Sequence, residues 1–214
     1  MRYLIVCGGK IDKEFGLNEI KTDGIDAIIA ADSGMDFLYE NGVTPDIIVG
    51  DFDSATTKAL EFFERKGQTE IRRLNPVKDD TDTEYAIRLA ISEGARSIVV
   101  LGATGSRIDH VLGNISLLGI GLESGTDISI IDTNNRIRMA DKPVTIEKSA
   151  QYGRFVSLIA LTDDNEVSLR GFKYPVTDYS FDRFTSLGIS NEIVDDHALI
   201  DIHRGKFIII ESKD

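Results

Sequence analysis

Up to about Met139 the chain alternates short, β-rich apolar runs with stretches of helical periodicity, the pattern of βαβ units on a parallel sheet. Residues 3–7 (YLIVC), 26–31 (DAIIAA), 46–49 and Ser97–Leu101 (SIVVL) read as buried strands. Residues 69–74 form a more polar strand suited to a sheet edge, and 127–132 the last strand of the region. Helices are expected over 33–40, closed by Asn41-Gly42, and over the amphipathic Thr57–Lys66, stopped by Gly67. Two more are expected over 82–93, ending at Gly94, and over 109–122, an apolar stretch whose interior glycines allow close packing. Beyond Met139 the rhythm changes. Residues 143–147, 155–161, 166–172, 197–202 and 206–211 read as short strands between turns, with little helical signal. The expected fold class is therefore α/β plus all-β. Residues 1–140 form a parallel-sheet, Rossmann-like α/β domain and 141–214 a small β-sandwich, with the change falling near 139–146 and no long linker.

Composition narrows the class without changing that picture. A hydrophobic fraction of 42% with 28% charged residues is ordinary for a globular protein. No apolar run approaches the roughly 20 residues of a membrane span. The apolar opening runs directly into Gly8-Gly9-Lys10, so it reads as a buried first strand rather than a signal peptide. Cys7, the single cysteine, forms no internal disulfide, and a cytoplasmic location is expected. A net charge of −12 makes the chain a poor electrostatic partner for nucleic acid, which is bound chiefly through Lys and Arg.

In an open parallel sheet, ligands bind beyond the carboxyl ends of the strands. The residues that follow the expected strands are Gly8-Gly9-Lys10, Asp32-Ser33-Gly34, Gly50-Asp51-Phe52-Asp53-Ser54, Lys78-Asp79-Asp80-Thr81-Asp82 and Gly102-Ala103-Thr104-Gly105-Ser106-Arg107. All are rich in Gly, Asp or Lys and nearly free of large apolar groups, and their convergence on one edge describes a site. Asp51 and Asp53 are its sharpest feature. An i, i+2 pair on an extended segment directs both carboxylates to one side and Phe52 to the other, with Gly50 permitting a turn. Two such carboxylates repel unless a cation lies between them, and hard oxygen ligands suit Mg²⁺. The bland alternative is a polar turn in which Asp53 or Ser54 caps the next helix. Thr81 with Glu84 matches a capping box, which accounts for Thr81 and Asp80 but not for every polar neighbour. The Gly102–Gly105 turn ahead of Arg107 offers backbone N–H groups and a guanidinium to phosphate oxygens, yet neither familiar nucleotide-binding glycine loop is present. His197 and His203 have no second His or Cys at metal-ligand spacing and read as strand or surface residues. Acyl-transfer chemistry is not expected.

Ala31-Asp32-Ser33-Gly34, the stretch from Pro45 to Ser54, Lys78 to Asp82, and Gly102 to His110 resemble the thiamine pyrophosphokinase family. So do Gly153 to Leu158, Gly171-Phe172-Lys173-Tyr174-Pro175 and Leu187 to Glu192, and the match runs through nearly the whole chain in the family's order. The resemblance implies a nucleotide-binding α/β domain, a thiamine-binding β-sandwich, and a homodimer whose active sites lie between subunits. It implies transfer of the pyrophosphoryl group of ATP to the thiamine hydroxyl, leaving AMP. By matching positions, Asp51, Asp53 and Asp82 hold Mg²⁺, with Asp79 and Asp32 near the cation or acceptor. Asp32, Ser33 and Gly34 lie on the ATP side of the site. Gly102, Thr104, Gly105, Arg107, Asp109 and His110 contact the nucleotide, and Ser190 and Asn191 reach thiamine. One of Asp51, Asp79 or Asp82 orients the attacking hydroxyl or takes its proton. Some family members stack thiamine on a tryptophan, and this chain has none. Two other readings stay open: the same transfer to another small alcohol such as a hydroxymethylpterin, and a non-catalytic nucleotide- or thiamine-sensing module.

Overall fold

The computed structural model describes residues 1–52, 57–75 and 80–214. Its contacts divide the chain into two compact units, Met1–Thr133 and Asn134–Asp214.

The first unit is an α/β domain. Strands β1 (Arg2–Val6), β2 (Ala27–Ala31), β3 (Ile47–Gly50), β4 (Glu70–Arg73), β5 (Ser97–Leu101) and β6 (Asp127–Ile131) lie in the order β6-β5-β1-β2-β3-β4. Every neighbouring pair is parallel. Helices α1 (Lys13–Ile20), α2 (Gly34–Glu40), α3 (Thr57–Lys66), α4 (Asp82–Ser92) and α5 (Ile108–Ser124) fill the connections. Leu4, Val6, Ala30, Ile48, Val99 and Leu101 from the strands pack with Met35, Leu38, Ala59 and Phe63 from the helices, so runs such as IIVG and SIVVL are buried along their length. The polar β4 takes the edge, as its composition predicts. The order of strands reverses once, between β1 and β5, and a crevice opens at such a switch point beyond the carboxyl ends.

Local signals account for most element ends. Thr81 caps α4 by accepting a hydrogen bond from the Glu84 N–H at 3.2 Å. The Glu84 carboxylate does not complete the box; it accepts from Arg88 at 2.7 Å on the next turn. Gly125 ends α5 in the left-handed region at φ 72°. α1 has no counterpart among the expected helices. It starts where the Asp12 carboxylate accepts from the Phe15 N–H at 2.9 Å, and its weak apolar pattern includes Gly16. α4 packs on β1, β2 and β3 and against α5, which carries its first turn to the exits of those strands.

The second unit is wholly antiparallel apart from a short 3₁₀ turn. Strands β7 (Asn135–Ala140), β8 (Val144–Glu147), β9 (Phe155–Ala160), β10 (Glu166–Arg170), β11 (Val176–Ser180), β12 (Asn191–Glu192), β13 (His197–Arg204) and β14 (Phe207–Ser212) form two groups, β12-β9-β14-β7 and β11-β10-β13-β8. One core serves both, with Val156, Leu158, Phe207 and Ile209 from the first group and Ile146, Val167, Leu169, Ile200 and Ile202 from the second. Period-two alternation is clear in β13, where Ala198, Ile200 and Ile202 point inward. The units divide at Thr133/Asn134 rather than at 140/141, because β7 pairs along its whole length with β14, from Asn135↔Ser212 to Ala140↔Phe207. Among the described residues no helix is long and apolar enough to cross a membrane.

Candidate active site

The exits of β1, β2, β3 and β5 interlock through main chain. The Cys7 N–H donates to the Leu101 carbonyl at 2.8 Å and the Gly9 N–H to the Gly102 carbonyl at 2.9 Å. The Asp32 N–H donates to the Val49 carbonyl at 2.7 Å. Side chains would prevent this approach: a Cβ on Gly34 would strike the Val6 carbonyl, and one on Gly102, which sits at φ 69°, would strike the Cys7 carbonyl. Above this floor lies a cavity of about 610 Å³. Its wall takes Cys7, Gly8 and Gly9 from the first exit, Asp32 and Ser33 from the second, and Thr81 to Glu84 from α4. Gly102, Ala103, Gly105, Ser106 and Arg107 follow β5, and Asp109, His110, Gly113, Asn114 and Leu117 come from α5.

Three carboxylates meet at this edge, and two of them, Asp32 and Asp82, belong to the cavity wall. One oxygen from each of Asp32, Asp51 and Asp82 lies within 4.8 Å of the others, and all three residues are partly buried. Asp32 and Asp51 follow adjacent strands. Gly50 lets those exits close up, since a Cβ there would lie 3.1 Å from both the Asp32 Cα and the Phe52 ring. Asp82 opens α4, where the helix dipole favours negative charge. The expected extended backbone through Phe52 is corrected: Phe52 is left-handed at φ 63°. The turn is made at Phe52 and not at Gly50. Asp32 is left-handed too, at φ 47°. Such a conformation is uncommon for Asp and rare for a bulky Phe, and strain of this kind clusters at functional sites. The Phe52 ring lies under the Arg73 guanidinium, 5.3 Å from centroid to carbon. Asp53, Lys78 and Asp79 lie outside the described residues.

The β5 turn supplies donors. Among the described residues the N–H groups of Ala103, Thr104 and Gly105 have no protein acceptor, while the Gly102 and Ala103 carbonyls are both taken. Arg107 follows and is hydrogen-bonded to Asp109 at 2.7 Å, which holds the Asp109 carboxyl below the usual carboxylate range and raises the guanidinium. Both are exposed. Gly34 packs beneath the site and is not among the wall residues, and the Thr104 hydroxyl donates a hydrogen bond to the Asp132 carboxylate at 2.7 Å. Cys7 is buried as expected, but it also forms part of the wall, with Sγ 3.4 Å from the Thr83 hydroxyl. Burial pushes its thiol up to about 11; the Thr83 contact opposes that shift and the Asp82 charge adds to it.

Two family models match the chain: the thiamin pyrophosphokinase catalytic domain over residues 21–130 and the thiamin pyrophosphokinase vitamin B1 binding domain over 143–207. The thiamine pyrophosphokinase of Bacillus subtilis (strain 168) is 34% identical over 188 residues, covering 87% of each chain. This chain belongs to the thiamine pyrophosphokinase family. Its fold matches the crystal structure of that family's Bacillus subtilis member at a TM-score of 0.89, with 32% identity and both chains fully covered. The Geobacillus thermodenitrificans thiamin pyrophosphokinase structure matches at 0.87, with 29% identity, over 100% of this chain and 98% of the other.

In the second unit, the stretch matched by the family's vitamin B1 binding domain contains Ser190 and Asn191. Ser190 is exposed and left-handed at φ 61°, with its N–H donated to the Ser157 hydroxyl at 3.0 Å. Asn191 is buried, and its amide is committed to main chain: Oδ1 accepts from the Tyr174 N–H at 3.1 Å and Nδ2 donates to the Tyr174 carbonyl at 2.9 Å. In this chain Asn191 braces the turn at Tyr174, ahead of β11. Ser168, His203 and Asp178 also come together, but the Ser168 hydroxyl at 3.0 Å and the Asp178 carboxylate at 3.3 Å face the same ring nitrogen. A nucleophilic triad uses opposite nitrogens and an accessible serine; Ser168 is fully buried.

Proposed function

We propose that the chain transfers the pyrophosphoryl group of ATP to the hydroxyl of thiamine. The thiamine oxygen bonds to the β-phosphorus, the bond from that phosphorus to the α-bridging oxygen breaks, and AMP leaves. The observation that carries this reading is the meeting, in a chain of this family, of the Asp32–Asp51–Asp82 cluster, two of whose members line the cavity, with a turn on the same cavity that has available backbone N–H groups.

The cluster fits Mg²⁺. Octahedral ligands at about 2.1 Å stand roughly 2.9–4.2 Å apart, inside the 4.8 Å that encloses one oxygen from each of these carboxylates, and Mg²⁺ takes few protein carboxylates alongside substrate phosphates. When bound, it would neutralise polyphosphate charge that an acidic wall would otherwise repel. Asp32, Asp51 and Asp82 would hold it, with Asp53 and Asp79 in the segments outside the described residues. The chain's own part is positioning and charge: the β5 turn and Arg107 receive phosphate oxygens, and one of Asp51, Asp79 or Asp82 takes the hydroxyl proton. Asp109 orients Arg107, and His110 lies on the nucleotide side. The same reading includes a Rossmann-like nucleotide domain, a thiamine-binding sandwich presenting Ser190, a homodimer with shared sites, and a cytoplasmic setting.

The test is AMP release from ATP with Mg²⁺, with and without thiamine. AMP and thiamine diphosphate, identified by mass, are expected only when thiamine is present. Equal AMP release with a hydroxymethylpterin and none with thiamine would reassign the acceptor. No AMP with any alcohol would leave a binding module.

A further inference from the structure

We propose that Asn114 is a positioning residue for the polyphosphate-binding turn, an inference that rests on the nucleotide reading above. Asn114 sits within α5, where asparagine is a poor helix former, so its presence there asks for a side-chain role. Its Nδ2 donates to the Ala103 carbonyl at 2.8 Å. Ala103 is buried, and a buried carbonyl needs a partner. The preceding carbonyl, of Gly102, is held by the Gly9 N–H at 2.9 Å. The Thr104 hydroxyl is tied to Asp132 at 2.7 Å. Three elements therefore grip one turn: the β1 exit, α5 and the β6 exit.

The chemical consequence concerns sign. A trans peptide carries its C=O and N–H on opposite sides, so fixing the oxygen fixes the donor. With both carbonyls committed to protein, neither oxygen is free to turn toward a polyphosphate, and the N–H groups of the same two peptides, those of Ala103 and Thr104, stay available as donors. Without the Asn114 amide, the Ala103–Thr104 peptide gains freedom to rotate and to present its negative end to the ligand. Asn114 thus acts through the turn and not by touching the nucleotide base.

The experiment uses the full chain with Mg²⁺ and follows three readouts: calorimetric binding of inorganic tripolyphosphate, the KM values for ATP and thiamine, and thermal unfolding. In Asn114→Leu, with Asn114→Ala as a smaller second variant, tripolyphosphate affinity should fall about tenfold or more, the cost of one hydrogen bond that organises charge-assisted contacts. The KM for ATP should rise by a similar factor while the KM for thiamine stays put, and the unfolding midpoint should fall by no more than the loss of one buried hydrogen bond. Unchanged tripolyphosphate binding with a raised KM for ATP would mean direct contact with the base and would overturn the proposal. So would a parallel rise in both KM values with a lowered midpoint, which marks general destabilisation. A wild-type chain that binds tripolyphosphate but forms no AMP retires the activity and leaves the binding arm as the test. A wild-type chain that forms AMP but binds no tripolyphosphate would overturn the proposal and leave the activity standing.

Discussion

Two places in the molecule hold buried or partly buried carboxylates, and they treat the charge in opposite ways. Glu211, on β14, is fully buried, and the chain brings its own cations to it. Arg136 donates at 2.8 and 2.7 Å, Arg138 at 2.9 Å, and the Tyr152 N–H at 2.9 Å. The strand register makes this possible: Arg136 is paired directly across from Glu211, and Arg138 lies two residues on, on the same face of β7. At the sheet edge of the first unit, Asp32, Asp51 and Asp82 are only partly buried, and their oxygens are gathered toward one another. Each ionised pair at such a distance is opposed by between about 1 and 4 kcal/mol, depending on solvent access. Burial alone therefore does not mark a functional acid. The neighbours separate the two places: arginines surround Glu211, while Asp32, Asp51 and Asp82 have other carboxylates among their neighbours.

Changing one acid in each place breaks the comparison most directly. Asp51→Asn or Asp82→Asn should lower turnover by at least about a thousandfold, the scale of losing metal-assisted charge stabilisation, with the unfolding midpoint retained. Near-normal activity in both variants at ordinary Mg²⁺ would remove the metal assignment. Glu211→Ala should act the other way round. It leaves two arginines without their anion, and at their partial exposure this costs about 3 kcal/mol of stability, readable in urea unfolding. Activity per folded molecule should hardly change. A stable Glu211→Ala protein would show that solvent already satisfies both guanidinium groups.

The same contrast explains what could be read from sequence. Buried parallel strands such as SIVVL announce themselves, and the rule that ligands collect beyond strand ends puts Asp32, Asp51, Asp53 and the Asp79–Asp82 run on one edge, of which Asp32, Asp51 and Asp82 come together among the described residues. β7 did not announce itself, because NRIRMA carries two arginines whose reason, Glu211, lies more than 70 residues away. That missing strand displaced the expected boundary. α1 was hidden by its polarity and by Gly16, which makes room for the Phe37 ring. Within the site, the left-handed Phe52, the Cys7–Thr83 contact and the hold of Asn114 on Ala103 are tertiary facts with no local signature. Asn191 shows the converse: the motif pointed to a ligand contact, and the fold spends the amide on Tyr174.

The smallest effect sharpens the contrast from within the acidic edge. Cys7 is buried in the cavity wall, and its thiol is raised from 9.0 to about 11, first by burial, with Thr83 opposing and the Asp82 charge adding. A folded-state value above the unfolded one means that the native protein binds the proton more tightly. The contribution to stability is complete below pH 9 and is lost as pH rises through about 11. Roughly two units correspond to about 2–3 kcal/mol. Other groups titrate in the same range, so the informative quantity is the difference between wild type and Cys7→Ala in urea midpoints, measured without added metal. That difference should be flat from pH 7 to 9 and then shift in favour of the variant as pH approaches 11. A flat difference throughout would mean that the thiolate is tolerated, and that the wall beside Asp82 is wetter and less acidic in character than its geometry indicates.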